Sequence, residues 1–254
     1  MIDKTPDGPA REAVRDRLDR VTDPELDRSI VELEYIDDIE IDAGTVTVHL
    51  TLPTAWCSPA FAWMMAVDAR TEVEELPAVE RARIYLREHM HEIEINRGVN
   101  AGRSFAEAFP DAEDTVDAVR AELDRKARTA RQYDAVEALL EAGLDPETIV
   151  SIRPCDLERT DGDDQLSIYL ADRAVAVSAP ANPIERYLEK ARETGLVDAG
   201  TDPLFLTPEG EPIESKQFEL VHRRGRLAQV NMSSQGGICD GLRESRERRL
   251  EASD

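Results

Sequence analysis

The chain has 254 residues, 41% of them hydrophobic, enough for one large domain or two ordinary ones, each with a buried core. Its 54 acidic against 31 basic residues leave a formal net charge of −23, which disfavours nucleic acid and anionic membrane surfaces as partners. Lysine is confined to Lys4, Lys126, Lys190 and Lys216. Dispersed acids with so little lysine match proteins that work in a salt-rich cytosol, so the chain reads as halophilic. A disordered acidic chain would run its charges together rather than spread them among periodic apolar residues.

Cys57, Cys155 and Cys239 are odd in number, far apart and without a Cys-x-x-Cys pair, which excludes a disulfide scaffold. The N-terminus carries no basic-then-apolar leader, and no apolar run reaches the ~18 residues of a membrane span. These features read as a cytoplasmic protein with no membrane partner.

In chain order, Val14, Leu18 and Val21 share one face of a helix over 11–21, which ends at Thr22-Asp23-Pro24-Glu25. Asp23 followed by Pro24 has the form of a helix N-cap with proline in the first turn. Ile39 and Ile41, then Val46, Val48, Leu50 and Leu52, alternate on either side of Asp42-Ala43-Gly44-Thr45, the pattern of a hairpin. Asp37, Asp38 and Asp42 read as loop and salt-adaptation charge. Ser58 and Pro59 read as N-cap and first residue of a helix running to about Leu76, stopped by Pro77. Ala82, Ile84 and Leu86 alternate as a third strand. From His89 to Asp111, Gly98, Gly102 and Pro110 mark an extension of loops.

Helical period returns over 114–131, with Arg125, Lys126, Arg128 and Arg131 as a basic C-terminal end. Beyond it, helices are expected over 135–142, 183–194 and 215–228, with strands around Leu166–Leu170 and Val175–Val177. The fold class is α/β: a small N-terminal α-β-β-α-β module within residues 10–111, a linking helix over 112–132, and a second mixed, mostly helical α/β domain over 133–248.

Cys57 lies just before a helix start, where the partial positive charge of unpaired N–H groups favours the thiolate that binds metal or attacks electrophiles. A lone cysteine among Trp56, Phe61 and Trp63 equally fits a small buried apolar side chain. His89 and His91 are candidate companions, since His-x-His on a strand would put both rings on one face. They also fit surface or half-buried histidines among Arg87, Glu88 and Glu92. Thr54 can turn the chain after the second strand or place its hydroxyl beside Cys57.

Asp23-Pro24-Glu25, a strand pair ending in Leu52-Pro53-Thr54, and Cys57 three residues after Thr54 occur in that order. The combination resembles the SufT/PaaD-like family of iron-sulfur cluster assembly proteins, over residues 10–110. One departure is Cys57-Ser58-Pro59 where that family has Cys-Pro. Pro53 to Ala62, followed by Ile95-Asn96, Gly98-Val99 and Ser104-Phe105, is similar to a subgroup associated with binuclear-iron monooxygenases. The resemblance implies a maturation factor rather than an enzyme, a homodimer that delivers iron or an iron-sulfur cluster to a client. Cys57 would transiently ligate iron or an iron-sulfur cluster, with His89 and His91 as further metal candidates and Asp23, Glu25 and Thr54 shaping the pocket. Clusters need about four protein ligands, so one thiolate must borrow the others from a second copy, the client or a small thiol. An alternative is a non-catalytic regulatory or binding subunit of an iron oxygenase system.

The stretches Leu139 to Leu144, Ile152 to Leu157, Pro203 to Leu206 and Gly241 to Arg243 resemble a tyrosine-recombinase catalytic domain. Asp145 and Asp240 replace that family's arginine and histidine, and no tyrosine follows Arg243. The resemblance implies a degenerate recombinase-like module that has lost its chemistry.

Overall fold

The computed structural model describes residues 8–112, 115–160, 164–171 and 173–251, with backbone alone at 235–236, 238–240 and 243–251. The chain is mixed α/β, as expected. It divides into two compact units, Met1–Arg120 with Ser234–Asp254, and Ala121–Ser233.

In the first unit, α1 (Arg11–Leu18) buries Val14 and Leu18 and stops three residues before the expected end. A two-residue ladder, β1 (Thr22–Asp23) with β2 (Arg28–Ser29), follows. The expected hairpin forms as β3 (Ile36–Asp42) and β4 (Thr45–Thr51), antiparallel and in register from Ile39↔Val48 to Asp42↔Thr45. All three of the acids expected as loop charge belong to β3: Asp38 pairs with Arg11 at 2.9 Å, Asp37 accepts from Thr51 Oγ1 at 2.5 Å, and Asp42 stands opposite Thr45 at the end of the ladder.

Helix α2 (Pro59–Glu74) leads to β5 (Arg81–Arg87), which pairs parallel to β4, giving the order β3-β4-β5. Alternation sends Val46, Val48 and Leu50 of β4 and Ala82, Ile84 and Leu86 of β5 into the core. There they meet Ala62, Trp63, Ala66, Ala69 and Val73 of α2. Each fully buried aliphatic side chain of this kind contributes roughly 1.5–3 kcal/mol.

The stretch from His89 to Asp111, expected as loops, holds two helices, α3 (Glu92–Asn100) and α4 (Phe105–Ala108). The glycines misled because Gly98 lies inside α3, buried, where a close approach to Trp63 requires it. Ser104 and Glu107 form a reciprocal capping box on α4. Phe105 and Phe109 stand edge-on to Trp63 at 5.7 and 6.1 Å. Asn96 and Asn100 of α3 pair with the backbone of β5, each amide bonding both the N–H and the C=O of one strand residue.

Helix α5 (Val116–Glu141) runs without a break through the segments read as a linker and as a separate helix. The residues read as its basic end therefore sit mid-helix. Arg120, in the first unit, clasps Asp68 of α2 through two bonds of 2.8 and 3.0 Å.

In the second unit, Asp145 caps α6 (Pro146–Ser151) by accepting from the Thr148 N–H at 3.0 Å. A three-stranded antiparallel sheet follows, β6 (Leu157–Arg159), β7 (Gln165–Leu170) and β8 (Val175–Pro180). The unit is completed by α7 (Ala181–Glu193) and by α8 (Phe218–Glu251), whose last residues return to the first unit. Its core gathers Leu139, Ile149, Ile168, Ile184, Tyr187 and Phe205. Arg128 is 1% exposed and donates Nη2 to the carbonyls of Thr207 and Pro208. The side chains of Cys239, Asp240 and Arg243 lie outside the described residues. No helix among the described residues is long and apolar enough to cross a membrane.

Candidate functional site

Cys57 sits in the short connection between β4 and α2. Leu52 and Pro53 are buried at the end of the sheet, and Thr54 then turns the chain. Its Oγ1 accepts from the Trp56 N–H at 3.2 Å and its carbonyl from the Cys57 N–H at 3.4 Å. Cys57 is half-buried and packs against the core of the first unit, while neighbouring Trp56 is 73% exposed. Ser58 occupies the N-cap position with Pro59 in the first turn, as expected, but its side chain makes no cap bond. Cys57 thus directly precedes a helix start whose first N–H groups receive no oxygen from Ser58.

The two histidines are not on a strand. β5 ends at Arg87, Glu88 turns the chain at φ 55°, and His91 is the N-cap residue of α3. The His-x-His geometry expected of a strand is therefore replaced by a tight turn. His89 is buried, 5% exposed. Its Nε2 lies 3.0 Å from the Cys57 carbonyl, and its Nδ1 accepts from the His91 N–H at 3.2 Å. A ring that accepts at Nδ1 and faces a carbonyl at Nε2 carries its proton on Nε2. Burial holds the His89 pKa below the ordinary histidine value, opposed by the bond to Cys57. One residue on, the Met90 N–H donates to the Ala55 carbonyl at 3.1 Å. The His91 ring meets Phe109 edge-on at 5.5 Å and lies 6.1 Å from the His89 ring.

Asp23 does not cap a helix. Its Oδ1 accepts from the N–H groups of Glu25 (2.9 Å) and Leu26 (3.2 Å), and Tyr35 donates its hydroxyl to Oδ2 at 3.1 Å. The same short-range capping chemistry here closes the turn between β1 and β2. Burial raises the Asp23 pKa above the ordinary carboxylate value, opposed by these three bonds. A raised folded-state pKa means that the native state holds the proton where the unfolded state has lost it. The stability this group contributes is full below the unfolded value and is lost as pH rises through the folded one. Asp23→Asn keeps an oxygen for both N–H groups and removes the charge. It is expected to be at least as stable as the parent at pH 7, with the gap closing as pH falls towards 4 in parallel urea titrations. A neutral-pH loss that is independent of pH would contradict this account of Asp23.

Among the described residues, no three of His, Cys, Asp and Glu converge as a metal site. A cleft of about 460 Å³ opens elsewhere in this unit beside Trp63, Phe105 and Val116, with Arg103 and Arg120 at its rim. Cys57, His89 and His91 do not line it. Sequence reasoning passed over the two asparagines that hold α3, and with it the His89 turn, against β5. The signal was present as Asn at i and i+4 of a helical stretch.

Residues 11–84 match the family model described as iron-sulfur cluster assembly protein. An iron-sulfur cluster carrier protein of Synechocystis is 38% identical over 73 residues, which are 29% of this chain and 20% of that protein. The chain thus spans about a fifth of the carrier protein's length. An uncharacterized protein of Methanocaldococcus jannaschii is 32% identical over 87 residues, 34% of this chain and 90% of that protein. No solved structure matches the chain.

Proposed function

The chain belongs to the iron-sulfur cluster assembly protein family, and from that premise we propose that it is a maturation factor, not an enzyme, that carries iron or an iron-sulfur cluster to a client protein. The cluster is cargo, held transiently by the Cys57 thiolate, with Asp23, Glu25 and Thr54 shaping the surroundings. The observation that carries this reading is the placement of Cys57, half-buried beside exposed Trp56 in a hydrogen-bonded loop at the start of α2. A helix start favours the charged thiolate, and an open surface leaves room for a partner's ligands. A cluster needs about four protein ligands, so the rest come from a second copy in a homodimer, from the client or from a small thiol. A binuclear-iron monooxygenase is the client class proposed, and the cytoplasm the compartment.

Anaerobic reconstitution with ferrous iron and sulfide tests the role of Cys57. The parent is expected to take up both and to show the broad visible absorbance of a cluster, while Cys57→Ser falls to background. Equal loading of the two proteins would remove Cys57 from the site.

A second reading follows from the packing of Cys57 against the core. In it the chain is a non-catalytic regulatory subunit of an iron oxygenase system, and Cys57 is structural. Cys57→Ser would then lower stability while leaving the partner's activity intact.

A further inference from the structure

Both ring nitrogens of His89 are already engaged within the chain, which leaves neither free to ligate a metal. We infer that His89 is a positioning residue: its Nε2–H grips the carbonyl of Cys57 and thereby sets the direction in which the Cys57 side chain leaves the backbone. The inference rests on the reading of Cys57 as the cargo ligand.

The Cys57 carbonyl lies in the peptide plane that joins Cys57 to the N-cap residue of α2. A donor 3.0 Å from that oxygen restrains the rotation of the plane, and with it the ψ angle of Cys57. The ring is itself fixed, because the His91 N–H holds Nδ1 at 3.2 Å. That bond determines which nitrogen carries the proton. Met90 adds a second clip by donating its N–H to the Ala55 carbonyl at 3.1 Å. The loop that carries Cys57 is therefore held at two carbonyls by two successive residues of the β5–α3 turn. The turn is anchored in its own right by burial of His89. An imidazole that orients a ligand-bearing group tunes metal affinity without touching the metal. The core of the unit does not depend on this one bond, so its loss loosens the loop without unfolding the unit.

The test uses the full chain with Cys155 and Cys239 replaced by serine, so that alkylation reports Cys57 alone. His89→Ala, His89→Gln and His89→Asn are compared with this parent for alkylation rate by iodoacetamide and for iron and sulfide uptake. Glutamine places its amide N–H near the histidine Nε2 position, whereas asparagine is too short to reach the carbonyl. His89→Ala and His89→Asn are expected to alkylate about fivefold faster, the equivalent of one lost hydrogen bond. They should also load about tenfold more weakly, while His89→Gln stays close to the parent in both. If His89→Ala fails to fold, the contrast between His89→Asn and His89→Gln carries the test. Unchanged alkylation in His89→Asn would overturn the inference. So would a His89→Gln variant that alkylates at the parent rate yet fails to load, which would make His89 a ligand. A parent that takes up no iron would refute the proposed cargo role, and the alkylation rates would still decide the positioning role.

Discussion

Asn100→Ala is expected to lower the stability of the first unit by about 2–4 kcal/mol, the cost of leaving a buried donor and acceptor without partners. β5 is an edge of the three-stranded sheet, and its outer backbone groups face α3 rather than a fourth strand. Asn100 Oδ1 accepts from the Ile84 N–H at 2.9 Å, and its Nδ2 donates to the Ile84 carbonyl at 2.7 Å. Asn96 repeats the pattern on Leu86 at 2.8 and 2.9 Å. Residues four apart on a helix lie on one face, and residues two apart on a strand expose their backbone to the same edge. The two amides therefore reproduce a ladder in place of a neighbouring strand. Alanine restores neither bond, and the uncovered edge becomes a template for pairing with another chain. Urea titration followed by circular dichroism, resolving the transition of the first unit, should show a lower midpoint at unchanged slope. A loss below about 0.5 kcal/mol, typical of a surface substitution, would mean that water satisfies Ile84 as well as Asn100 does.

The second large effect is at Gly98, which reads as a loop marker in sequence and is a helix contact in the fold. A Cβ there would stand 2.6 Å from two atoms of the Trp63 indole and 3.1 Å from the Ala108 Cβ. Trp63 cannot retreat easily, because Phe105 and Phe109 close on it edge-on. Gly98→Val is expected to cost about 3 kcal/mol through overpacking. Gly98→Ala should cost less, since alanine regains about 1 kcal/mol of helix propensity. Trp63 fluorescence in a Trp56→Phe background should report the displaced indole. Gly98→Ala and Gly98→Val both as stable as the parent would show that α3 can shift away from α2 without penalty.

The elements legible in the sequence are those whose signal is local. Alternation over Ile39–Leu52 marks the hairpin, because a strand buried on one face must alternate. Ser58-Pro59 and Pro77 bracket α2, because proline suits a first helical turn and stops a helix that reaches it. The order of Asp23-Pro24-Glu25, Thr54 and Cys57 carried the family. What the sequence left open depends on groups far apart along the chain. Asp145 and Asp23 have the same capping chemistry, yet Asp145 caps a helix and Asp23 closes a turn. For Asp23 the difference includes Tyr35, twelve residues on, which holds the second carboxylate oxygen. The basic residues over 125–131 imitate a helix end, but α5 continues to Glu141, and Arg128 is buried under carbonyls about eighty residues away.

Cys57 shows the same division. Its sequence position already placed a thiol before a helix start and supplied the chemical reason for a thiolate. Only the tertiary structure decided that His89 faces the Cys57 carbonyl rather than lining up with His91 on a strand. The reason is that the backbone groups of a connecting loop must find partners, and here those partners come from the β5–α3 turn, some thirty residues further along the chain.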